Sequence, residues 1–249
     1  MDFPPGGDIA LVVAGALIAG FVNGLTGTAY ALAAMSFWLH AMPPTFAAPL
    51  VCLCAVGGHL QALPQIWHGV RWPRLWPFLM TGLVGVPLGT LLLSHVQPDP
   101  LKLGVGILLV VYVSWNGFVR RPPVVRQWGG RVADSVAGFI GGVLGGMASL
   151  SGPVPVTWVQ LRDWTRDEQR GVNQPYNMSI LFLALVSAAV SGLLDVRWLF
   201  WAAICLPVSL LGTRLGLKAY GRFDDAQFRK VVLVMLGLSG LTLIGSSLR

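Results

Sequence analysis

The chain has 249 residues, of which 55% are hydrophobic and only 11% charged, and its mean hydropathy is +0.69. An ordinary soluble domain carries roughly 25% charged residues, so a water-soluble globule is excluded, and apolarity along the whole length excludes a disordered chain. The net charge of +7 comes from basic residues scattered between apolar runs. They lack the aromatic-basic interleaving of single-strand binders, which argues against nucleic acid, and arginine-rich cytoplasmic loops of a polytopic membrane protein explain them. Cys52, Cys54 and Cys205 lie within apolar runs and form no disulfide framework or zinc motif. The start of the chain, Met1-Asp2-Phe3-Pro4-Pro5, lacks the positive region of a cleaved signal peptide, so it is expected to be retained.

A helix needs about 20 apolar residues to cross the hydrocarbon core. Apolar runs fall at about 9–40, 44–66, 73–95, 100–119, 132–161, 172–193, 197–218 and 230–248. Six have the length of one crossing; the first and fifth are longer, at about 30 residues, and are interrupted by glycine. The ten tryptophans mostly sit at run ends, where an interfacial belt would place them.

The two parts of the chain resemble each other. Ala19-Gly20-Phe21-Val22-Asn23-Gly24 matches Ala137-Gly138-Phe139-Ile140-Gly141-Gly142, Pro49 matches Pro175, Val70-Arg71-Trp72 matches Val196-Arg197-Trp198, and Leu88-Gly89-Thr90 matches Leu211-Gly212-Thr213. Matches in the same order point to a duplication, with an N-terminal membrane repeat at 1–119, a basic linker at 120–131 and a C-terminal repeat at 132–249.

The positive-inside rule orients these repeats. If each long run crosses once, the loop cations divide evenly between the two sides, which no orientation explains. If each long run enters and returns on one side, then 13 cations (Arg71, Arg74, Arg120, Arg121, Arg126, Arg131, Arg162, Arg166, Arg170, Lys218, Arg222, Arg229, Lys230) share a side. Only Lys102, Arg197 and Arg249 face the other. The second reading predicts an all-α polytopic fold of two inverted repeats, each a broken, re-entrant-like helical hairpin plus three transmembrane helices. Both termini are then periplasmic. Hairpin arms of about 15 residues would span about 22 Å, leaving each tip inside the membrane, where non-helical backbone must be buried or line a wet cavity. Such an arrangement is that of secondary transporters.

The hairpin tips read Asn23-Gly24-Leu25-Thr26-Gly27-Thr28 and Gly145-Gly146-Met147-Ala148-Ser149-Leu150-Ser151-Gly152-Pro153. Both combine glycine with small hydroxyl side chains, and the helix leaving each tip presents free N–H groups and a positive dipole end suited to an anion. Close helix packing is the competing reading for each tip. The sixth run opens with Asn173, Gln174, Pro175, Tyr176 and Asn177, amides and a phenol that are costly against lipid and so face a polar interior or reach interfacial water. Candidate substrate-binding residues are therefore Asn23, Thr26, Gly27, Thr28, Gly146, Ser149, Ser151, Asn173, Gln174 and Asn177. Arg214 would pair with a substrate anion or snorkel to the surface. His59 would carry a coupling proton or serve as a structural histidine. The spans hold no carboxylate cluster, so no metal site and no cofactor is expected, and cation transport is disfavoured. An intramembrane hydrolase would need a serine and histidine on facing helices, for which Ser149 or Ser151 with His59 is the one available set; an anion channel is the other alternative.

The duplicated glycine-rich openings (Ala19 to Gly27, Ala137 to Gly146), the Pro49 and Pro175 helices, the valine-arginine-tryptophan corners and the Gly-Thr elements together resemble the TauE/SafE sulfite-exporter family over about 9–247. The resemblance implies a carrier of the bacterial inner membrane for sulfur-containing anions, such as sulfite or sulfoacetate-like organosulfonates, and not an enzyme. A sulfonate spreads its charge over three oxygens, so helix N-termini with Thr, Ser and Asn donors would bind it without a buried arginine. The expected partners are that anion and the lipid bilayer; proton coupling and a homo-oligomer stay open.

Overall fold

The computed structural model of the chain describes residues 6–118, 125, 129–162, 164–219 and 225–247. Regular structure among them is helical throughout. The first part comprises α1 (Gly6–Thr26), α2 (Tyr30–Ala41), α3 (Pro44–Ile66), a 3-10 turn at Trp67–Gly69, α4 (Trp72–His95) and α5 (Pro98–Phe118). The second comprises α6 (Gly130–Ala148), α7 (Pro153–Gln160), α8 (Arg166–Val190), α9 (Val196–Ala219) and α10 (Asp225–Ser247). Among the described residues five helices, α1, α3, α4, α5 and α9, are long and apolar enough to cross a membrane. The chain is an all-α, multi-pass membrane protein. In α8 the N-terminal turns carry Asp167, Glu168, Gln169, Arg170, Asn173 and Gln174, which lowers its hydropathy although its length suffices.

Each long apolar run folds as a hairpin. In the first, α1 ends where Gly27 takes a φ of 79°, a conformation that only glycine adopts without cost, and α2 turns back along α1, with the Trp38 indole N–H donating to the Val12 carbonyl at 3.0 Å. In the second, α6 ends at Ser149 with a φ of 58°, and α7 returns so that Gly145 meets Ser151, Gly141 meets Pro155 and Trp158 reaches Asp134. The sequence suggests arms of about 15 residues each; the arms are in fact unequal. They have 21 and 12 residues in the first hairpin and 19 and 8 in the second. At 1.5 Å per residue the outgoing arms reach about 32 and 29 Å and the return arms about 18 and 12 Å. The outgoing arms pack on α9 and α4, and the return arms pack on other helices, α2 on α3 and α10 and α7 on α8.

The contacts of the outgoing arms with α9 and α4 are glycine crossings. A Cβ at Gly20 or Gly24 of α1 would overlap the carbonyls of Ser209 and Thr213 on α9, and one at Gly142 or Gly146 of α6 would overlap those of Gly82 and Val86 on α4. Small residues let helix backbones approach closely in lipid, where dispersion and weak polar contacts replace the hydrophobic effect. The Thr81 hydroxyl adds a bond across the second crossing, to the Ser135 carbonyl at 2.6 Å. Between the two crossings α3 packs on α8, α3 also touches α9, α8 also touches α4, and α5 pairs with α10. Tyr30, Trp38, Phe78 and Tyr176 are the largest wholly buried side chains; Trp38 thus belongs to the core, whereas Trp67, Trp72 and Trp76 are exposed as a belt would require.

Candidate functional site

The two hairpin tips meet. A Cβ on Gly152 would stand 3.4 Å from the Thr28 carbonyl and 3.6 Å from the Asn177 amide, and Gly27 lies so close to Gln174 that any side chain there would collide with its amide nitrogen. Four of the proposed amides, Asn23, Asn173, Gln174 and Asn177, are buried together with Ser151. α8 delivers three of them, Asn173 and Gln174 before Pro175 and Asn177 after it. α1 supplies Asn23, whose Nδ2 and the Thr213 hydroxyl abut Gly58 of α3.

The hydrogen bonding is incomplete in an informative way. The Ser151 hydroxyl donates to Asn177 Oδ1 at 2.6 Å, which leaves Asn177 Nδ2 as a buried donor without a partner. Asn23 Oδ1, Asn173 Oδ1 and Gln174 Oε1 are likewise buried without partners. Buried polar groups in native proteins are almost always paired, so these four amide atoms beside the junction call for a partner, whether water or a polar ligand. An amide rotates to offer either N–H or C=O, so the junction can supply the donors an oxyanion needs.

Other proposed residues are committed to structure. The Thr26 hydroxyl donates to the Val22 carbonyl at 2.9 Å and accepts the Thr28 and Ala29 N–H groups at 3.4 and 3.2 Å. Ser149 donates to the Ala48 carbonyl at 2.6 Å and lies 3.1 Å from the Cys52 sulfur, so Cys52 braces a tip in addition to filling space. Gly146 faces α4, where its absent side chain serves the helix crossing. Arg214 is exposed on α9 and not in the junction. His59 is buried on α3 with Nδ1 unpartnered.

The two helices leaving the tips differ in the N–H groups they offer. Neither has a side-chain cap. α2 opens with Tyr30-Ala31-Leu32, all with N–H groups, while α7 opens with Pro153-Val154-Pro155, and proline has no N–H to give. The positive end of α2 is therefore the stronger of the two.

The buried carboxylate of the bundle is already paired. Asp134 is paired with Arg162 at 2.6 Å, both buried, and with the Trp158 indole at 2.7 Å. Among the described residues no group of His, Cys, Asp and Glu could hold a metal. On the outside of the bundle, Arg74 pairs with Glu168 at 2.9 Å and, with the Thr165 N–H, holds that carboxyl below its ordinary range. The Arg170 guanidinium donates to the Leu25 carbonyl at 3.1 Å, tying the start of α8 to the end of α1. One polar group escaped the sequence reading: Tyr30, Cys54 and Ser209 neighbour one another, and Tyr30 Oη and Ser209 Oγ are buried without a complete hydrogen bond. Each comes from a different apolar run, so no local pattern marked them.

The sequence profile of the family described as "Sulfite exporter TauE/SafE" matches residues 12–243. A relative from Cupriavidus necator, named "Probable sulfite/organosulfonate exporter TauE", is 26% identical over 207 residues, covering 79% of this chain and 78% of its own length. No solved structure matches the chain. With a membrane-embedded helical bundle, a buried polar junction at paired hairpin tips and a profile match over nearly its whole length, the chain belongs to the TauE/SafE sulfite exporter family of transporters.

Proposed function

We propose that the protein is a secondary carrier for sulfur oxyanions, sulfite or small organosulfonates, across the bacterial inner membrane. The observation that carries this reading is the junction of the two tips, where Asn177 Nδ2 and the amide oxygens of Asn23, Asn173 and Gln174 are buried without hydrogen-bond partners. Neutral donors and the uncapped start of α2 attract a diffuse anion without the tight grip of a buried arginine, which permits release. The family and the name of the Cupriavidus relative favour a sulfur anion.

The proposed architecture is two inverted repeats, 1–119 and 132–249, joined by the basic linker 120–131. Its support is a correspondence of packing: exchanging α1–α5 for α6–α10 turns the α1–α9 pair into α6–α4 and the α3–α9 pair into α8–α4, while α3–α8 and α5–α10 map onto themselves. Charge bias puts the linker in the cytoplasm and both termini in the periplasm. Alternating access then moves two bodies around the junction. The glycine crossings join helices from different repeats, so the bodies are α1–α2–α9 and α6–α7–α4, not the two halves of the chain. His59 is the candidate carrier of a coupling proton.

Solid-supported-membrane electrophysiology on liposomes tests this, with sulfite, sulfoacetate, thiosulfate, sulfate, acetate and chloride, each with and without a pH gradient. Saturable currents confined to sulfur oxyanions are expected, and they should vanish when Asn173 or Thr28 is replaced by leucine. Equal currents for chloride and acetate, or normal flux in both variants, would overturn the reading.

A further inference from the structure

We propose that the cleft between the N-terminal ends of α4 and α6 binds the phosphate headgroup of an anionic phospholipid, whose acyl chain lies along α4. The cleft, of about 390 Å³, is lined by Trp72, Pro73, Trp76, Pro77 and Arg131. Arg131 is exposed and has no hydrogen-bond or ion-pair partner among the described residues. Arg71, at the N-cap of α4, is exposed as well and lies near Glu168. Neither α4 nor α6 has a side-chain cap at this end. Pro73 leaves α4 little to donate, as the Arg74 and Leu75 N–H groups already reach the Arg71 carbonyl. The positive end of α6 and the unpaired Arg131 guanidinium therefore carry the charge, and among the described residues no carboxylate lines the cleft. That is charge complementarity to a phosphodiester.

The apolar surroundings select a lipid over a soluble phosphate. Trp72 and Trp76, four residues apart and so neighbours on the helix surface, are each 55% exposed. The ridge they begin continues at the same spacing through exposed Met80, Val84 and Leu88, winding around α4. This stripe runs from the headgroup cleft along the membrane-spanning part of α4 and suits an acyl chain. Indoles beside a basic residue at a helix end form the usual interfacial anchor, and basic pockets between transmembrane helices hold acidic headgroups. The position has a consequence, because α4 and α6 form one of the two glycine crossings and α6 carries the tip with Ser149 and Ser151. A lipid bridging their ends would steady that crossing from the membrane side.

The full-length protein in detergent would be titrated with phosphatidylglycerol, with phosphatidylcholine and with soluble glycerol phosphate. Thermal unfolding and native mass spectrometry would read bound lipid and oligomeric state. Phosphatidylglycerol should be retained and should raise the Tm more than phosphatidylcholine. Arg131→Gln should weaken its binding about fivefold, the effect of one basic residue at an anionic headgroup, and Arg131→Lys should restore most of it. Arg131 is exposed, so neither variant threatens folding. Equal effects of the two lipids, unchanged selectivity in Arg131→Gln, an equal response to glycerol phosphate, or stabilisation seen only in a dimer would each overturn the proposal.

Discussion

Asn177 sets the polarity of the junction. Its Oδ1 is occupied by the Ser151 hydroxyl at 2.6 Å, so its Nδ2 is fixed as a donor with nothing to donate to. Asn177→Asp is nearly isosteric and keeps the Ser151 bond, but it exchanges that donor for a charged acceptor. A like charge beside a substrate anion costs several kcal/mol. A carboxylate buried there without a counter-charge costs stability, so the variant should lower the Tm. In the protein that folds it should raise KM for sulfur anions at least tenfold in liposome flux assays, more at high pH than at low pH. An unchanged KM would remove Asn177 from the substrate path. The amides were legible in the sequence because three of them cluster around a proline in an otherwise apolar run. The division of labour among the hydroxyls was not. Thr26, Ser149 and Ser151 look alike as letters, and only the fold shows that Thr26 closes its own helix end, Ser149 braces a left-handed turn against α3 and Ser151 orients an amide.

At the level of helices, the glycines divide into those that a neighbour requires and those that it does not. Gly142 has the backbone of Gly82 where a Cβ would go, whereas Gly104 on α5 has nothing within 4 Å. Gly142→Ala should force α4 and α6 apart and destabilise by about 1–3 kcal/mol, the range for overpacked sites. Gly104→Ala should be neutral or up to about 1 kcal/mol stabilising, because alanine is the better helix former. Thermal unfolding of both in the same detergent checks the pair, and similar Tm values would mean the crossing tolerates expansion. Helix positions were readable from hydropathy: the eight apolar runs correspond to α1–α2, α3, α4, α5, α6–α7, α8, α9 and α10 with ends shifted by a few residues. The unequal arms were not, since apolar composition continues through a helix break unchanged. The weak start of α7 was written in Pro153 and Pro155, but it acquires meaning only once Pro153 is known to be the first helical residue.

Across the whole molecule, the glycine motifs announced close crossings without naming partners. Gly20 and Gly24 on one side and Gly212 and Gly216 on the other have the same spacing as Gly138, Gly142 and Gly146, and any pairing among them would satisfy the pattern. The pairing found, α1 with α9 and α6 with α4, fixes which helices must travel together. It also means that α1–α2–α9 and α6–α7–α4 touch each other chiefly through the tips and through α3 and α8. If these bodies rock apart in each cycle, the contact between Thr28 and Gly152 must open and close. A Cβ at Gly152 would stand 3.4 Å from the Thr28 carbonyl. Cysteines introduced at Thr28 and Gly152, with Cys52, Cys54 and Cys205 replaced by alanine, therefore make a cross-link across the tips the test, a disulfide needing Cα atoms within about 7 Å. Copper-phenanthroline oxidation should abolish flux and a reductant should restore it, while the Tm of the oxidised protein rises, because the link holds the closed junction. Full flux in the cross-linked carrier would show that the tips stay together through transport, and the moving gate would then have to be sought at the α3–α8 contact.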